Sequence, residues 1–390
     1  MNLDRQLRIA VYLLMALFSI SLTMISPMLP VIVRQFNITA AQGGLLITFQ
    51  SIGGLLITIL MAFIADKYNK ALLIVIGFFI FVVSLFSISF AAVYSTLLFL
   101  FFLYGLGSKV PDNLNNSFLA EQFPDNRAVY LNILHAVFGI GALIGPLMAS
   151  ILMEQGLNWG LIFRLMAVLS LLGLLYFVVL VKKNKKVSIV DSQNQKQVNF
   201  NIILKNKRMW FILIIMLLYV GNQASLTTWL PMYMETHLRA SPVTAGLSLS
   251  MFWIGIILSR FLTTQFTRSY SNIFLIKWGN FTGGIILLLS VFLQLQWLIL
   301  FNFVLVGLFT GATFPLVVDS ASKIFPDYTG TVTSIIFIIV NLSLMFFPWF
   351  IGYLSDLYDF QIAFIIAGII LLLVFLLTFL IKPEKKKCVK

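Results

Sequence analysis

Gly105-Leu106 and Phe123-Pro124-Asp125 stand sixteen residues apart, and the same five residues return at the same spacing as Gly307-Leu308 and Phe325-Pro326-Asp327. The offset is 202 residues. On either side the register holds without a gap. Gly44-Leu45 matches Gly246-Leu247, Gly53 matches Gly255, Pro146 matches Pro348, and the acid Glu154 matches the acid Asp356. Apolar sequence yields chance identities, but seldom in one ungapped register over about 110 residues. The chain therefore reads as two homologous halves.

What each half contains follows from composition. The chain has 390 residues, 60% of them hydrophobic and 10% charged, with a mean hydropathy of +1.01. A soluble domain of this size needs far more charge to cover its surface. Apolar runs long enough to cross a bilayer lie near 10–33, 43–64, 71–92, 95–118, 129–152, 161–181, 209–233, 243–265, 273–292, 297–320, 330–352 and 361–381. They are too long and too uniformly apolar for outer-membrane strands. A lipid-exposed backbone must also satisfy its own hydrogen bonds, so the spans are helices. The expected fold is an all-α membrane protein with twelve transmembrane helices in two pseudo-symmetric six-helix bundles. The expected domains are 1–181, a basic linker at 182–208, and 209–390 with a short basic tail.

The net charge of +13 suggests nucleic-acid binding until it is located. Residues 182–208 hold eight Lys/Arg and one Asp, and residues 382–390 hold five Lys and one Glu. Both stretches adjoin apolar helices, so they report topology rather than a nucleic-acid partner. With both termini assigned to the cytoplasm, twenty basic residues outside the spans fall inside. Only Arg34 and Arg239 fall outside. The positive-inside rule thus predicts a multi-pass protein of the cell (plasma) membrane with both termini and the linker cytoplasmic. The single cysteine, Cys388, excludes a disulfide framework and a cysteine metal site, and reads as a free thiol. The N-terminus lacks a small-residue cleavage site and leads into a first span rather than a removed signal.

Two parallel six-helix repeats are the architecture of many secondary transporters, whose solute site lies at the midplane between the halves. No Walker loop, nucleophile elbow or metal-ligand cluster appears, so an enzyme, a cofactor and a metal site are not expected. The loop Ala62-Phe-Ile-Ala-Asp66-Lys67-Tyr-Asn-Lys70 resembles the Gly-x-Leu-Ala-Asp-Arg-x-Gly-Arg-Lys loop of the major facilitator superfamily. Ala62 and Asn69 replace the usual glycines. The resemblance implies that Asp66, Lys67 and Lys70 latch the ends of helices and gate the transporter; a purely topogenic basic loop is the alternative. The repeat places Arg268 opposite Asp66, so the second half lacks this acid. Gly139-Ile-Gly141-Ala-Leu-Ile-Gly145-Pro146 resembles the family's fifth-helix motif, and Gly141 and Gly145, one turn apart, suit close helix packing. Tyr219-Val-Gly-Asn222-Gln223-Ala-Ser-Leu-Thr-Thr-Trp229-Leu is similar to a segment of the fucose:proton symporter-like sugar transporters, with Gln223 where Glu is usual. Leu134-His135-Ala-Val-Phe-Gly fits the same subgroup.

Charged and amide side chains in a membrane helix are functional candidates by default. Lys109, Asp112, Asn113 and Asn116 stand at i, i+3, i+4 and i+7 on the fourth span, one polar stripe on an apolar helix. Asp112 can pair with Lys109, although Pro111 between them can kink the helix. The pair can carry a proton on Asp112, hold a substrate on Lys109, or simply orient the helix. Tyr219, Asn222 and Gln223 form a second stripe on the seventh span. Ser19, Thr23 and Ser26 on the first span, and Thr310 and Thr313 on the tenth, carry less weight, because membrane Ser and Thr usually bond their own backbone. Asp319 is expected near the cytoplasmic end of the tenth span. His135 is a candidate proton relay or a helix–helix hydrogen bonder. Arg260 and Lys277 are expected to snorkel from the cytoplasmic ends of their spans. Arg164 is expected to snorkel outside or to pair with Glu154.

These features point to a proton-coupled importer of a small polar solute such as a sugar, working as a monomer in the lipid bilayer. A drug or metabolite efflux pump with a phenylalanine-rich cavity is the alternative, since the chain has 38 Phe. A lipid flippase on the same scaffold is a third.

Overall fold

The fold is that of a computed structural model, which describes residues 3–64, 67–183, 203, 205–293, 295–325 and 328–381. Asp66, Cys388, the tail and most of the linker at 182–208 lie outside the described residues. The described regular structure is helical. The first half contains α1 (Leu3–Thr23), α2 (Ile25–Phe36), α3 (Ala40–Ile64), α4 (Lys70–Ile88), α5 (Tyr94–Gln122), α6 (Arg127–Glu154) and α7 (Trp159–Lys183). The second contains α8 (Lys207–His237), α9 (Pro242–Ser269), α10 (Asn272–Val291), α11 (Gln296–Thr310), α12 (Thr313–Ile324), α13 (Thr329–Leu357) and α14 (Phe360–Leu377).

Eleven described segments are long and apolar enough to cross a membrane. The twelfth span is α5, 29 residues long, whose polar stripe dilutes its apolar character. This is an all-α membrane protein of twelve spans, as the hydropathy predicts. Two spans differ from the expectation of continuous helices. The first breaks between Thr23 and Ile25, and the tenth breaks at Gly311 and Ala312. The cause is the same at both. Pro27 and Pro315 stand four residues past Thr23 and Gly311, and a proline can neither donate to the carbonyl four residues back nor clear it. Pro111 has the same chemistry, yet α5 runs through it unbroken.

By Cα proximity the chain divides into two compact units. One comprises Met1–Ile38 with Leu45–Gln195, the other Thr39–Gly44 with Lys196–Lys390. Helices in lipid gain little from the hydrophobic effect and associate by close van der Waals packing, which favours small residues at crossings. The glycines of the repeat do this in each unit. In the first, a Cβ on Gly53 would lie 2.1 Å from the Phe102 carbonyl oxygen, and one on Gly105 1.9 Å from that of Gln50, so α3 and α5 touch backbone to backbone. In the second, a Cβ on Gly255 would lie 2.1 Å from the Val304 oxygen, and one on Gly307 2.3 Å from that of Phe252. These are the same contacts shifted by 202 residues, now joining α9 and α11. The internal repeat is therefore a repeat of helix crossings.

A further crossing in the first unit uses the fifth-span motif. A Cβ on Gly141 would meet Ser19 Oγ at 1.8 Å, and one on Gly145 would meet Thr23 Oγ1 at 2.3 Å. The motif packs α6 against α1. In the second unit, the Asp356 carboxylate at the end of α13 accepts from the backbone N–H groups of Ala40 and Ala41, each at 2.8 Å. A carboxylate on the first turn of a helix is favourable both as a cap and against the helix dipole. It explains why Thr39–Gly44 clusters with the second unit.

Candidate functional site

In the first unit α5 is wedged against α4 and α3 by its buried face, which includes Phe101, Gly105, Gly107, Val110 and Leu114. The period of that face leaves Lys109, Asp112, Asn113 and Asn116 together on a half-buried strip. Lys109 Nζ and Asp112 Oδ2 lie 2.8 Å apart, with 30% and 29% of their side-chain surfaces accessible. The pair predicted from spacing is formed, and Pro111 does not prevent it. Gly54 on α3 makes room for the lysine stem: a Cβ there would sit 2.8 Å from Lys109 Cγ. Asn113 Nδ2 donates to Thr58 Oγ1 at 3.0 Å, and Thr58 in turn donates to the Gly54 carbonyl at 2.7 Å. Asn116 Nδ2 donates to the Asp112 carbonyl at 2.8 Å. A cation and an anion in mutual contact, partly accessible and flanked by amides, can exchange one partner for a proton or a polar solute.

The spacing did not flag Asn115. It is fully buried, off the stripe, and neither its Oδ1 nor its Nδ2 has a hydrogen-bond partner. A buried amide with both ends unpaired is costly, and nothing in a helical stripe distinguishes it from its neighbours Asn113 and Asn116. His135 lies on the exposed face of α6, on a different helix from the stripe. Of the residues expected to gate, Lys67 is exposed in the turn before α4, and Lys70, on the first turn of α4, forms an ion pair with Glu121 near the end of α5. Glu121 is a partner that the loop resemblance did not name. Asn69, standing where that loop usually has glycine, caps α4 by accepting from Ala71 N at 2.9 Å.

In the second unit Tyr219 and Asn222 are buried on α8, with 2% and 1% of their surfaces exposed. Gln223 is half-buried beside them. The Asn222 Oδ1 has no hydrogen-bond partner. Arg260 is exposed and stands nine residues before the end of α9. Trp229, at the end of the same motif, donates from Nε1 to the Pro348 carbonyl at 2.7 Å and holds α8 to α13.

Several other expectations take definite form. Ser19 donates to the Ala16 carbonyl, Thr23 to Ser19, and Thr310 to Val306, so these hydroxyls serve their own helices. Thr313 accepts from Asn280 at 2.9 Å. Asp319 is exposed and pairs with Lys323. Arg164 does not pair with Glu154; its guanidinium lies 5.4 Å from the Phe90 ring centroid. Lys277 sits 3.5 Å from the centroid of Phe379. A groove of about 410 Å³ beside α9, α10 and α12 is lined by Phe266, Tyr270, Phe274, Trp278 and Phe309. Apart from Thr313 it contains none of the predicted polar residues.

The sequence profile of the Major Facilitator Superfamily matches residues 11–332 and 279–390. The chain belongs to the major facilitator superfamily. Within the superfamily it is 26% identical over 320 residues to the glucose/mannose transporter GlcP of Bacillus subtilis (strain 168), covering 78% of this chain and 77% of GlcP. It is 21% identical over 291 residues to the quinolone resistance protein NorA of Staphylococcus aureus (strain MSSA476), covering 73% of each. The fold matches the crystal structure of a point mutant of nucleoside transporter NupG with a TM-score of 0.85 at 14% identity, over 97% of this chain and 100% of that one. This superfamily member is a multi-pass secondary transporter.

Proposed function

We propose that the protein takes up a small polar solute, a sugar or a related metabolite, together with protons across the cell membrane. In this reading it works as a monomer, with both termini cytoplasmic. Alternating access moves 1–181 against 209–390, with 182–208 as a flexible cytoplasmic linker and Asp66, Lys67 and Lys70 as the gate. The observation that carries the proposal is the Lys109–Asp112 pair, partly accessible in the middle of an otherwise apolar helix. Protonation of Asp112 releases Lys109, which is then free to engage solute or to stand exposed until the proton leaves. Asn113, Asn116, Tyr219, Asn222 and Gln223 supply amide and hydroxyl groups of the kind that recognise hydroxylated solutes. His135 is the candidate relay. Similarity to GlcP, a glucose/mannose transporter, supports a sugar-like solute.

The test is uptake into proteoliposomes with an imposed inward proton gradient, using labelled glucose, mannose and fucose. Asp112→Asn should abolish uphill uptake and leave counterflow exchange measurable. Unchanged uphill uptake in that variant overturns the proton role. Lys109→Ala should abolish binding of the transported solute. Similarity to NorA, a quinolone resistance protein, favours efflux as the second reading; proton-driven accumulation of norfloxacin in inverted vesicles, with no sugar uptake, would select it.

A further inference from the structure

Two amides on the α5 strip have their nitrogens turned inward, and the reason differs at each. Asn116 Nδ2 lies 2.8 Å from the Asp112 carbonyl oxygen. A carbonyl can only accept, so the nitrogen end of the amide must face it. At Asn113 a third residue decides, Thr58 of α3. Its Oγ1 lies 2.7 Å from the Gly54 carbonyl oxygen, a separation that requires a proton between the two oxygens. The hydroxyl supplies that proton, in the bond that membrane threonines commonly make to their own helix. With its single hydrogen committed, Thr58 Oγ1 can only accept at its other contact, and Asn113 Nδ2 donates to it at 3.0 Å. Thr58 thereby fixes which way round the Asn113 amide stands.

The consequence lies at the other end of each amide. Neither Asn113 Oδ1 nor Asn116 Oδ1 receives a hydrogen bond from the described residues. Both remain accessible, unlike the sealed Oδ1 of Asn115 on the same helix. The two residues stand three apart, about one turn, so neighbouring groups of one small solute can reach both. Gly54 ties this arrangement to the ion pair: its carbonyl takes the Thr58 proton, and its missing Cβ leaves room for the Lys109 stem. The Asp112 carboxylate between them also accepts only. A solute hydroxyl can satisfy such oxygens by donating its hydrogen. An ether oxygen, a fluorine or a carboxylate cannot.

We infer that Thr58 is a positioning residue for solute selection: it holds the Asn113 oxygen outward, so that Asn113 and Asn116 recognise solute hydroxyls by the hydrogen they donate. This rests on the reading of the chain as a polar-solute transporter with its solute on the α5 strip. It narrows the substrate class to polyhydroxylated solutes whose hydroxyls at the strip are free rather than etherified. Thr58 itself does not touch the solute and acts through Asn113.

The experiment is ligand-induced thermal stabilisation of the purified full-length protein in detergent, without a gradient. The probes are D-glucose, D-mannose and L-fucose, each beside its monodeoxyfluoro derivatives. Fluorine is close to a hydroxyl in size and has no hydrogen to donate. For the sugar that binds, fluorination at one ring position should weaken affinity about tenfold, because an amide oxygen is left unpaired. Thr58→Val keeps the shape of the side chain and frees the Asn113 amide to turn over, so the loss at that position should shrink to about twofold or less. Thr58→Ser keeps the hydroxyl and should keep the loss of about tenfold. Asn113→Leu should weaken the parent sugar about as much as fluorination does and add little to the fluorinated one. A purely structural role for Thr58 would move parent and derivative together; an unchanged ratio in Thr58→Val therefore overturns the inference. So does wild-type binding of every fluorinated derivative within about twofold of its parent. Binding of none of the three parent sugars removes the sugar reading along with this one, whereas binding without discrimination removes this one alone.

Discussion

The fourth and tenth spans descend from one repeat and have diverged in opposite directions. Lys109 on α5 corresponds to Gly311 at the break between α11 and α12, Pro111 to Thr313, and Asp112 to Phe314. The first-unit span is an unbroken helix with a charged stripe. Its counterpart is interrupted and apolar, with Gly311 so close to α9 that a Cβ would lie 2.7 Å from Ile256 Cα. A lysine cannot stand there. The second unit keeps its polar groups elsewhere, at Tyr219, Asn222 and Arg260, whose first-unit counterparts are Leu17, Ile20 and Thr58. Duplication preserved the crossings and redistributed the chemistry.

The ends of the spans were rewired in the same way. In the first unit Lys70 pairs with Glu121. Their counterparts are Asn272 and Lys323, and both bind Asp319, which has Ser117 as its own counterpart. The helices are tied at equivalent places by different charges. Backbone contacts cannot be exchanged piecemeal without a clash, whereas an ion pair can be rebuilt one residue at a time.

The largest expected effect tests the shared part. Gly105→Val and Gly307→Val each drive a side chain into a backbone carbonyl, at Gln50 and Phe252. Overpacking of that kind against rigid backbone costs ~3 kcal/mol or more. Both variants should lose most monodisperse protein in size-exclusion chromatography. A clear difference between them would break the equivalence of the two crossings. The next effect probes the first unit's charge. Asp112→Ala leaves Lys109 unpaired, and because the pair is about one-third accessible the loss should be about 1–2 kcal/mol, between surface and buried cases. Lys109→Met with Asp112→Leu should restore thermal stability without restoring uphill uptake. Recovery of both would reduce the pair to a structural tie.

The smallest effect separates two acids that the repeat makes equivalent. Asp356→Ala removes two bonds from the first turn of α3 and should lower stability by about 1 kcal/mol, read as a lower melting temperature. Glu154→Ala should change it by less than about 0.5 kcal/mol, as surface substitutions do. The reason lies one residue into the corresponding helix: the counterpart of Ala40 is Pro242, which has no N–H to offer a carboxylate. Equal effects would mean that Glu154 has found another partner.

Much of the molecule was legible from residue order. Helix number and the two-fold repeat follow from local quantities, namely the length of apolar runs and the spacing of Gly, Pro and acidic residues. Membrane helices satisfy their backbones internally and pack through small residues, so those local quantities nearly dictate the fold. The Lys109–Asp112 pair was legible for the same reason, since residues three apart on one helix must meet. The helix breaks at Thr23 and Gly311 were missed, because Pro27, Pro315 and Pro111 look alike in sequence although α5 runs through Pro111 unbroken. The buried amide of Asn115 and the Glu121 partner of Lys70 depend on contacts between helices far apart in the chain. By itself the sequence determined the spans, their duplication and the stripe on α5. Tertiary structure alone decided which charged side chains meet partners on other helices, as Lys70 meets Glu121, because charge compensation between distant segments is a property of distance in space.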